Sequence, residues 1–197
     1  CALLGRRLMA SPPGVAEGIV QFDTVKGKFN AELLAADAPL TVANFLRYVD
    51  RGAYTNDVVH RSVPGFVVQG GGFSLAGNTV QPVATDAPVV NEFKNANLRG
   101  TLAMAKLGTG PDTATSQWFV NLADNRANLD NQNGGFTVFA RVLGNGMTVA
   151  DAIAATPRYD ASTQLGSAFS ELPLLQPSLA AENLVVVRTV TPTALFP

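Results

Sequence analysis

The sequence predicts a mainly β protein: a closed antiparallel barrel capped by two α-helices. Three observations carry that prediction. Short apolar runs with two-residue alternation recur along most of the chain. Turn residues, chiefly Gly, Pro and Asn, separate them at short intervals. Only two stretches, residues 37–52 and 146–155, change to helical spacing. Closing such a sheet on itself is the general way an all-β chain removes its unpaired edges.

In chain order, residues 18–25 (GIVQFDTV) alternate as a strand, and Lys26-Gly27 marks a tight turn. Residues 28–34 (KFNAELL) put Phe29, Ala31 and Leu33 on one face and complete a hairpin. Asp37-Ala38-Pro39 opens the first helix, with proline tolerated in the first turn and an acid near the positive end. Val42, Phe45, Leu46 and Val49 follow at helical spacing, and Gly52 stops it. That face should pack on an end of the sheet.

Residues 58–72 (VVHRSVPGFVVQGGG) hold two apolar runs around Pro64-Gly65 and read as a second hairpin. Residues 73–90, rich in Gly, Pro, Thr and Ala, read as a loop. Strands follow at 101–106 (TLAMAK), 116–121 (SQWFVN) and 136–142 (FTVFARV), separated by Gly/Pro/Asp-rich and polar loops. The second helix turns Met147, Ala150, Ile153 and Ala154 inward and ends before Pro157. Residues 158–183 read as long and irregular, and residues 184–190 (LVVVRTV) as a final strand.

Composition narrows the function. A chain of 197 residues with 47% apolar content suits one domain with a real core. Charged residues are 15%, with 14 basic against 15 acidic, so there is no electrostatic reason to expect nucleic acid or an anionic membrane surface. No apolar run reaches the ~20 residues of a membrane span. The one cysteine, Cys1, excludes an intramolecular disulfide. The one histidine, His60, excludes a histidine-rich metal site and reads as structural or surface. No G-x-S-x-G elbow accompanies it. Gly70-Gly71-Gly72 lacks the Lys-Ser/Thr of a phosphate loop and reads as backbone relief after a strand. Trp118 reads as core, and Glu92, Asp112 and Asp124 as solvated loop acids. No cofactor motif is present, and neither a metal nor a cofactor is expected.

The remaining signal centres on Arg61. Alternation puts it on one face with Val59 and Val63, and puts Val67 with Gln69. On the 116–121 strand, Gln117, Phe119 and Asn121 share a face, with Trp118 and Val120 opposite. An arginine amid valines is unusual, because arginine is rarely buried unpaired. A small barrel fills its interior with side chains. The Arg61 face is therefore outward, and a guanidinium beside an amide (Gln69) and a ring (Phe66) makes a small site with one strong donor and one apolar wall.

HRSVPGFVVQGGG, followed by TLAMAK, ATSQWFVNLADN, NLDNQNGGFTVFARV and GMTVADAI, resembles the cyclophilin family of peptidyl-prolyl cis-trans isomerases, nearest its bacterial, periplasmic-like branch. Order and spacing agree from about Gly18 to Val190. The resemblance implies eight barrel strands. The domain is expected to span 17–192, after a flexible leader (1–16) whose apolar stretch is too short for a complete signal peptide and before a short tail (193–197). It implies an isomerase of X-Pro bonds in peptides and folding proteins, with no covalent step. Arg61 is the implied donor to the prolyl nitrogen, with Gln69 orienting it or holding a substrate carbonyl. Phe66, Val67, Phe119, Leu129 and Phe136 are implied to line the proline slot. Ala105, Lys106 and Gln117 are implied to hold the flanking peptide.

The chain departs from the best-known eukaryotic pattern at Val67 (often Met), Lys106 (usually Asn), Phe136 (His) and Asn128 (the tryptophan that binds cyclosporin). Weak or no cyclosporin binding is therefore expected. The alternative function is a non-catalytic peptide-binding or chaperone module on the same barrel, which the presence of Arg61 argues against. A monomer is expected. So is export to the periplasm, with Cys1 positioned for a lipid anchor as in bacterial lipoproteins, a cytoplasmic location being the alternative.

Overall fold

A computed structural model describes residues 18–193; the leader, Cys1 and the last four residues of the tail lie outside the described residues. The strands are β1 (Ile19–Thr24), β2 (Gly27–Leu33), β3 (Asp57–Val58), β4 (Arg61–Val63), β5 (Val67–Gly70), β6 (Phe73–Ala76), β7 (Thr79–Pro82), β8 (Thr101–Met104), β9 (Trp118–Asn121), β10 (Val138–Val142), β11 (Arg158–Tyr159), β12 (Leu172–Pro173) and β13 (Val186–Thr193). The helices are α1 (Pro39–Asp50), α2 (Met147–Ala154) and the one-turn α3 (Ser162–Leu165). The sheet runs β4-β5-β9-β8-β10-β2-β1-β13-β3-β6-β7, with antiparallel pairing throughout. Its curl is legible in that order. β4 begins it, and β3, which precedes β4 in the chain by only Val59 and His60, lies beyond β13. One stretch, residues 57–63, thus pairs with β13 through its first half and with β5 through its second. Counted as one strand, it meets the expectation of eight strands around the curl.

Inside the curl lies the core: Phe22, Phe29, Phe45, Tyr54, Val68, Leu102, Met104, Trp118, Val120 and Phe139 among others. Phe22 is stacked on Phe29 at 4.7 Å and meets Trp118 edge-on at 5.1 Å. α1 closes one end by inserting Val42, Phe45 and Val49, as its spacing predicts.

Several expectations change. Residues 73–90 are not all loop. β6 and β7 form a hairpin across Gly77-Asn78, with Gly77 at φ 59°, a two-residue turn signal that the surrounding Gly/Thr composition hid. Val59 and Arg61 do not share a face. Val59 joins the barrel core while Arg61 is half-exposed, because the backbone changes partner at His60 and alternation breaks there. Asp37 does not serve the α1 N-terminus; it pairs with Lys94 and Asn95. Glu92, expected to be solvated, serves it instead, accepting from the Leu40 (3.1 Å) and Thr41 (2.7 Å) N–H groups and the Thr41 hydroxyl (2.8 Å). A carboxylate there satisfies orphan N–H donors and meets the positive end of the helix dipole. Asp112 likewise accepts from the Asn91 N–H, while Asp124 is paired with Arg126 at the surface.

Residues 158–183 are ordered. β11 pairs with β12, and Phe169, Leu172, Leu174, Ala161, Leu184 and Val58 form a second apolar cluster outside the barrel. Among the described residues no helix is long and apolar enough to cross a membrane, and no group of acidic, histidine or cysteine residues could hold a metal ion.

Candidate active site

The site follows from register. Arg61 lies directly opposite Gln69, Gln69 opposite Phe119, Phe119 opposite Ala103, and Ala103 opposite Val138. These five residues form one line across β4, β5, β9, β8 and β10. Their neighbours one step along, Val68, Val120, Leu102 and Trp118, face the core. Two-residue periodicity therefore puts the line on the outer face. A third apolar cluster grows on it: Val67, Ala103, Phe119, Leu129 and Val138, with Phe66, Ala105, Leu34 and Phe136 packed at its margin.

Tight backbone approach behind the line explains Gly70-Gly71-Gly72. Gly71 has φ 81°, and a Cβ there would come within 2.5 Å of the Ser116 carbonyl oxygen. The Gly71 N–H donates to the buried Asp57 carboxylate at 2.8 Å. Burial holds the Asp57 pKa well above the usual carboxylate range, although that N–H opposes the shift.

Loops supply the rest of the slot. Val63-Pro64-Gly65-Phe66 closes as a turn, with Phe66 N–H donating to Val63 O at 2.9 Å and Gly65 at φ 74°. This delivers Phe66 to the rim. Leu129 comes from a single helical turn, Arg126–Asp130, and Phe136 from the residues before β10. Three buried asparagines tie these loops together. Asn125 donates to the Phe66 carbonyl (2.9 Å) and to Asn121 Oδ1 (2.7 Å). Asn121 donates to Asn97 Oδ1 (3.1 Å) and the Thr101 hydroxyl (2.9 Å). Asn97 donates to Asp130 (2.9 Å) and the Phe136 carbonyl (3.0 Å).

The result is a cavity of about 320 Å³ lined by Arg61, Phe66, Val67, Gln69, Ala105, Lys106, Phe119, Asn128, Leu129, Gln132 and Phe136. Phe119 and Phe136 meet edge-on at 5.8 Å. Of the residues expected to form the site, only Gln117 is absent from this lining. It lines an adjoining cavity and accepts from Gln69 Nε2 at 2.8 Å, which leaves Gln69 Oε1 facing the Arg61 Nη1 at 3.5 Å. Ala105 cannot offer its N–H to a peptide, because it donates to the Gln117 carbonyl. Lys106 donates to the carbonyls of Asn133 (2.5 Å) and Gly135 (2.6 Å) and lies 4.8 Å from the Phe136 ring centroid. Desolvation lowers its pKa.

Sequence reasoning missed three contributors: Gln132, which donates to Asn128 Oδ1; the asparagine network; and Glu171, which accepts from Arg61 Nε at 3.0 Å. Asn-rich composition was the only available signal for the network. None existed for Glu171, which lies 110 residues from Arg61.

The family model "Cyclophilin type peptidyl-prolyl cis-trans isomerase/CLD" matches residues 19–167. The chain is 41% identical over 153 residues to a peptidyl-prolyl cis-trans isomerase of Acinetobacter baylyi, covering 76% of this chain and 79% of that protein. It is 40% identical over 141 residues to peptidyl-prolyl cis-trans isomerase B of Escherichia coli, covering 68% and 83%. Among solved structures, a Cryptosporidium parvum cyclophilin type peptidyl-prolyl cis-trans isomerase, crystallised in the presence of the dipeptide Ala-Pro, superposes with a TM-score of 0.66 at 19% identity, covering 90% of this chain and 99% of that one. That likeness concerns the fold.

Proposed function

The chain belongs to the cyclophilin-type peptidyl-prolyl cis-trans isomerases, and from that premise we propose that Arg61 performs the catalytic act in the cavity on the barrel's outer face. The observation that supports this reading is the pairing of one half-exposed guanidinium with an apolar slot of Phe66, Val67, Phe119, Leu129 and Phe136.

An X-Pro bond rotates slowly because amide resonance sets a barrier of ~18–20 kcal/mol. At the twisted transition state resonance is lost, the prolyl nitrogen becomes pyramidal, and its lone pair becomes a hydrogen-bond acceptor. A donor placed there binds the twisted state better than either planar state, which is the requirement for catalysis. Arginine suits the task because it stays charged and presents rigid planar donors. The apolar slot takes the proline ring, and Gln69, with its amide oriented by Gln117, positions the guanidinium. Lowering the barrier by ~7 kcal/mol would accelerate rotation about 10⁵-fold. Neither a nucleophile nor a proton transfer is needed.

The test is turnover of an Ala-Pro peptide in a protease-coupled assay. Arg61→Ala should lower turnover by about 10²–10³ with peptide affinity retained, as expected for loss of one preorganised donor. Unaltered turnover by folded Arg61→Ala would remove this mechanism and leave peptide binding as the cavity's role.

Asn128 stands on the rim with its amide engaged by Gln132. It offers neither an indole N–H nor a large apolar face. Weak cyclosporin binding belongs to the same proposal.

A further inference from the structure

On the edge of β4 away from β5, the backbone is met by residue 171: the Ser62 N–H donates to the Glu171 carbonyl at 2.9 Å. That contact places the Glu171 side chain beside Arg61. Its Oε2 accepts from Arg61 Nε at 3.0 Å, and its Oε1 accepts from Arg158 Nη1 at 3.2 Å. The segment carrying it is well supported. Tyr159 opposes Leu172 and Arg158 opposes Pro173 in the β11–β12 pair. Beneath it Phe169 and Leu172 are buried, and Phe169 packs at 4.5 Å on Phe73, whose ring meets His60 edge-on at 5.1 Å.

As a source of stability this ion pair is weak. Both side chains are about one third exposed, at 37% and 32%, and exposed pairs contribute little. Its geometry points elsewhere. A guanidinium has five N–H donors in one plane. Glu171 takes the Nε donor and Gln69 faces Nη1, while the Phe66 ring lies 5.8 Å from the guanidinium carbon. Two in-plane partners define the plane's orientation and leave the Nη2 donors unengaged among the described residues. Arg158 shares the same carboxylate, so one negative charge lies between two cations and Arg61 is not left with a carboxylate of its own.

We infer that Glu171 is a positioning residue for the isomerisation: it holds the Arg61 guanidinium plane so that its free N–H edge meets the prolyl nitrogen. This rests on the reading of Arg61 as the donor. A misplacement of about 1 Å in a reacting group can cost on the order of 10²-fold in rate.

The experiment is a double-mutant cycle on turnover, with affinity for an Ala-Pro peptide measured separately. Glu171→Ala should lower kcat roughly 10- to 100-fold and leave peptide affinity within about twofold. Introduced into Arg61→Ala, the same change should alter turnover by less than about twofold, because its target is gone. Glu171→Gln keeps an acceptor of the same shape and should recover most of the loss, which separates positioning from disruption of the segment. Wild-type turnover by Glu171→Ala would overturn the proposal. So would an equal loss on both backgrounds, the mark of a purely structural role. Wild-type turnover by Arg61→Ala is a different result: it would remove the catalytic reading, and the role of Glu171 with it.

Discussion

One wall of the cavity on the outer face is carried by strands and the other by loops, and the two are held differently. Arg61, Gln69, Val67 and Phe119 take their places from the cross-strand register of β4, β5 and β9. Phe66, Leu129 and Phe136 stand on irregular backbone, kept in place by Asn97, Asn121 and Asn125. Ladder hydrogen bonds and the packed core behind them fix the first wall at every residue. A few buried amides, each with several partners, fix the second. A buried amide costs free energy unless it is paired, so the network either holds all three loops or fails as a unit. Arg61 lies on the wall set by register, and Phe66, Leu129 and Phe136 lie on the other.

The largest expected effect breaks the loop wall alone. Asn121→Ala removes bonds to Asn97 and Thr101 and leaves Asn125 with only the Phe66 carbonyl as acceptor. It should cost about 3 kcal/mol by urea unfolding and raise KM more than it lowers kcat. A larger effect on kcat would mean that the two walls are not separately held.

Next comes acid, which acts behind the strand wall. Burial, with a smaller contribution from the Arg61 cation, lowers the His60 pKa to about 4. An unfolded chain protonates near 6.5, so on acidification the unfolded state takes up that proton first. The stability from neutral His60 is complete above pH ~6.5 and is lost as pH falls toward 4, by at most about 3 kcal/mol. Asp57 has the opposite slope, because its raised pKa favours the folded state at low pH and loses that advantage as pH rises above the ordinary carboxylate range. His60→Phe, keeping an aromatic against Phe73 and Phe169, should leave the Asp57 slope alone. Its stability between pH 4 and 6.5 should then fall with rising pH relative to wild type. Parallel curves for the two proteins would exclude His60 as the source.

The kinetic contrast sharpens the comparison. Arg61→Lys should lose roughly 10- to 100-fold in kcat with peptide affinity retained, since an ammonium on a flexible stem is not a planar donor. Phe136→Ala should weaken affinity about tenfold through lost apolar contact. If both variants lose the same quantity, the division of labour between the walls is wrong.

The smallest effect is on the loop rim. Asn128→Trp should tighten cyclosporin about tenfold, read by titration against the unaltered protein. Tight binding before the substitution would show that the indole is dispensable.

This comparison also explains what the sequence revealed. Alternation put Val67 with Gln69 and set Phe119 on the face opposite Trp118, because period two is a local property within one strand, but it misplaced Arg61 beside Val59, where the backbone changes partner at His60. Which residue lies opposite which is not local, so the straight line from Arg61 to Val138 emerged only with the register. The loop wall was legible by family resemblance at Leu129 and Phe136, yet its supports were not. Asn97, Asn121 and Asn125 look like loop polarity until their partners are known. Glu92 and Glu171 act on α1 and Arg61 from 51 and 110 residues away, beyond any spacing rule.

The pairing of Ile19 with Thr193 and of Val58 with Val186 has a consequence for how the molecule is made. Among the described strands β13 comes last in the chain, and it fills the gap between β1 and β3, the strand leading into Arg61. Until it leaves the ribosome, β1 and β3 each present an open edge able to pair with another chain. Their contacts also join segments far apart in the sequence, which makes closure slow relative to local hairpins. A nascent chain stalled before β13 should therefore be the species most dependent on chaperones.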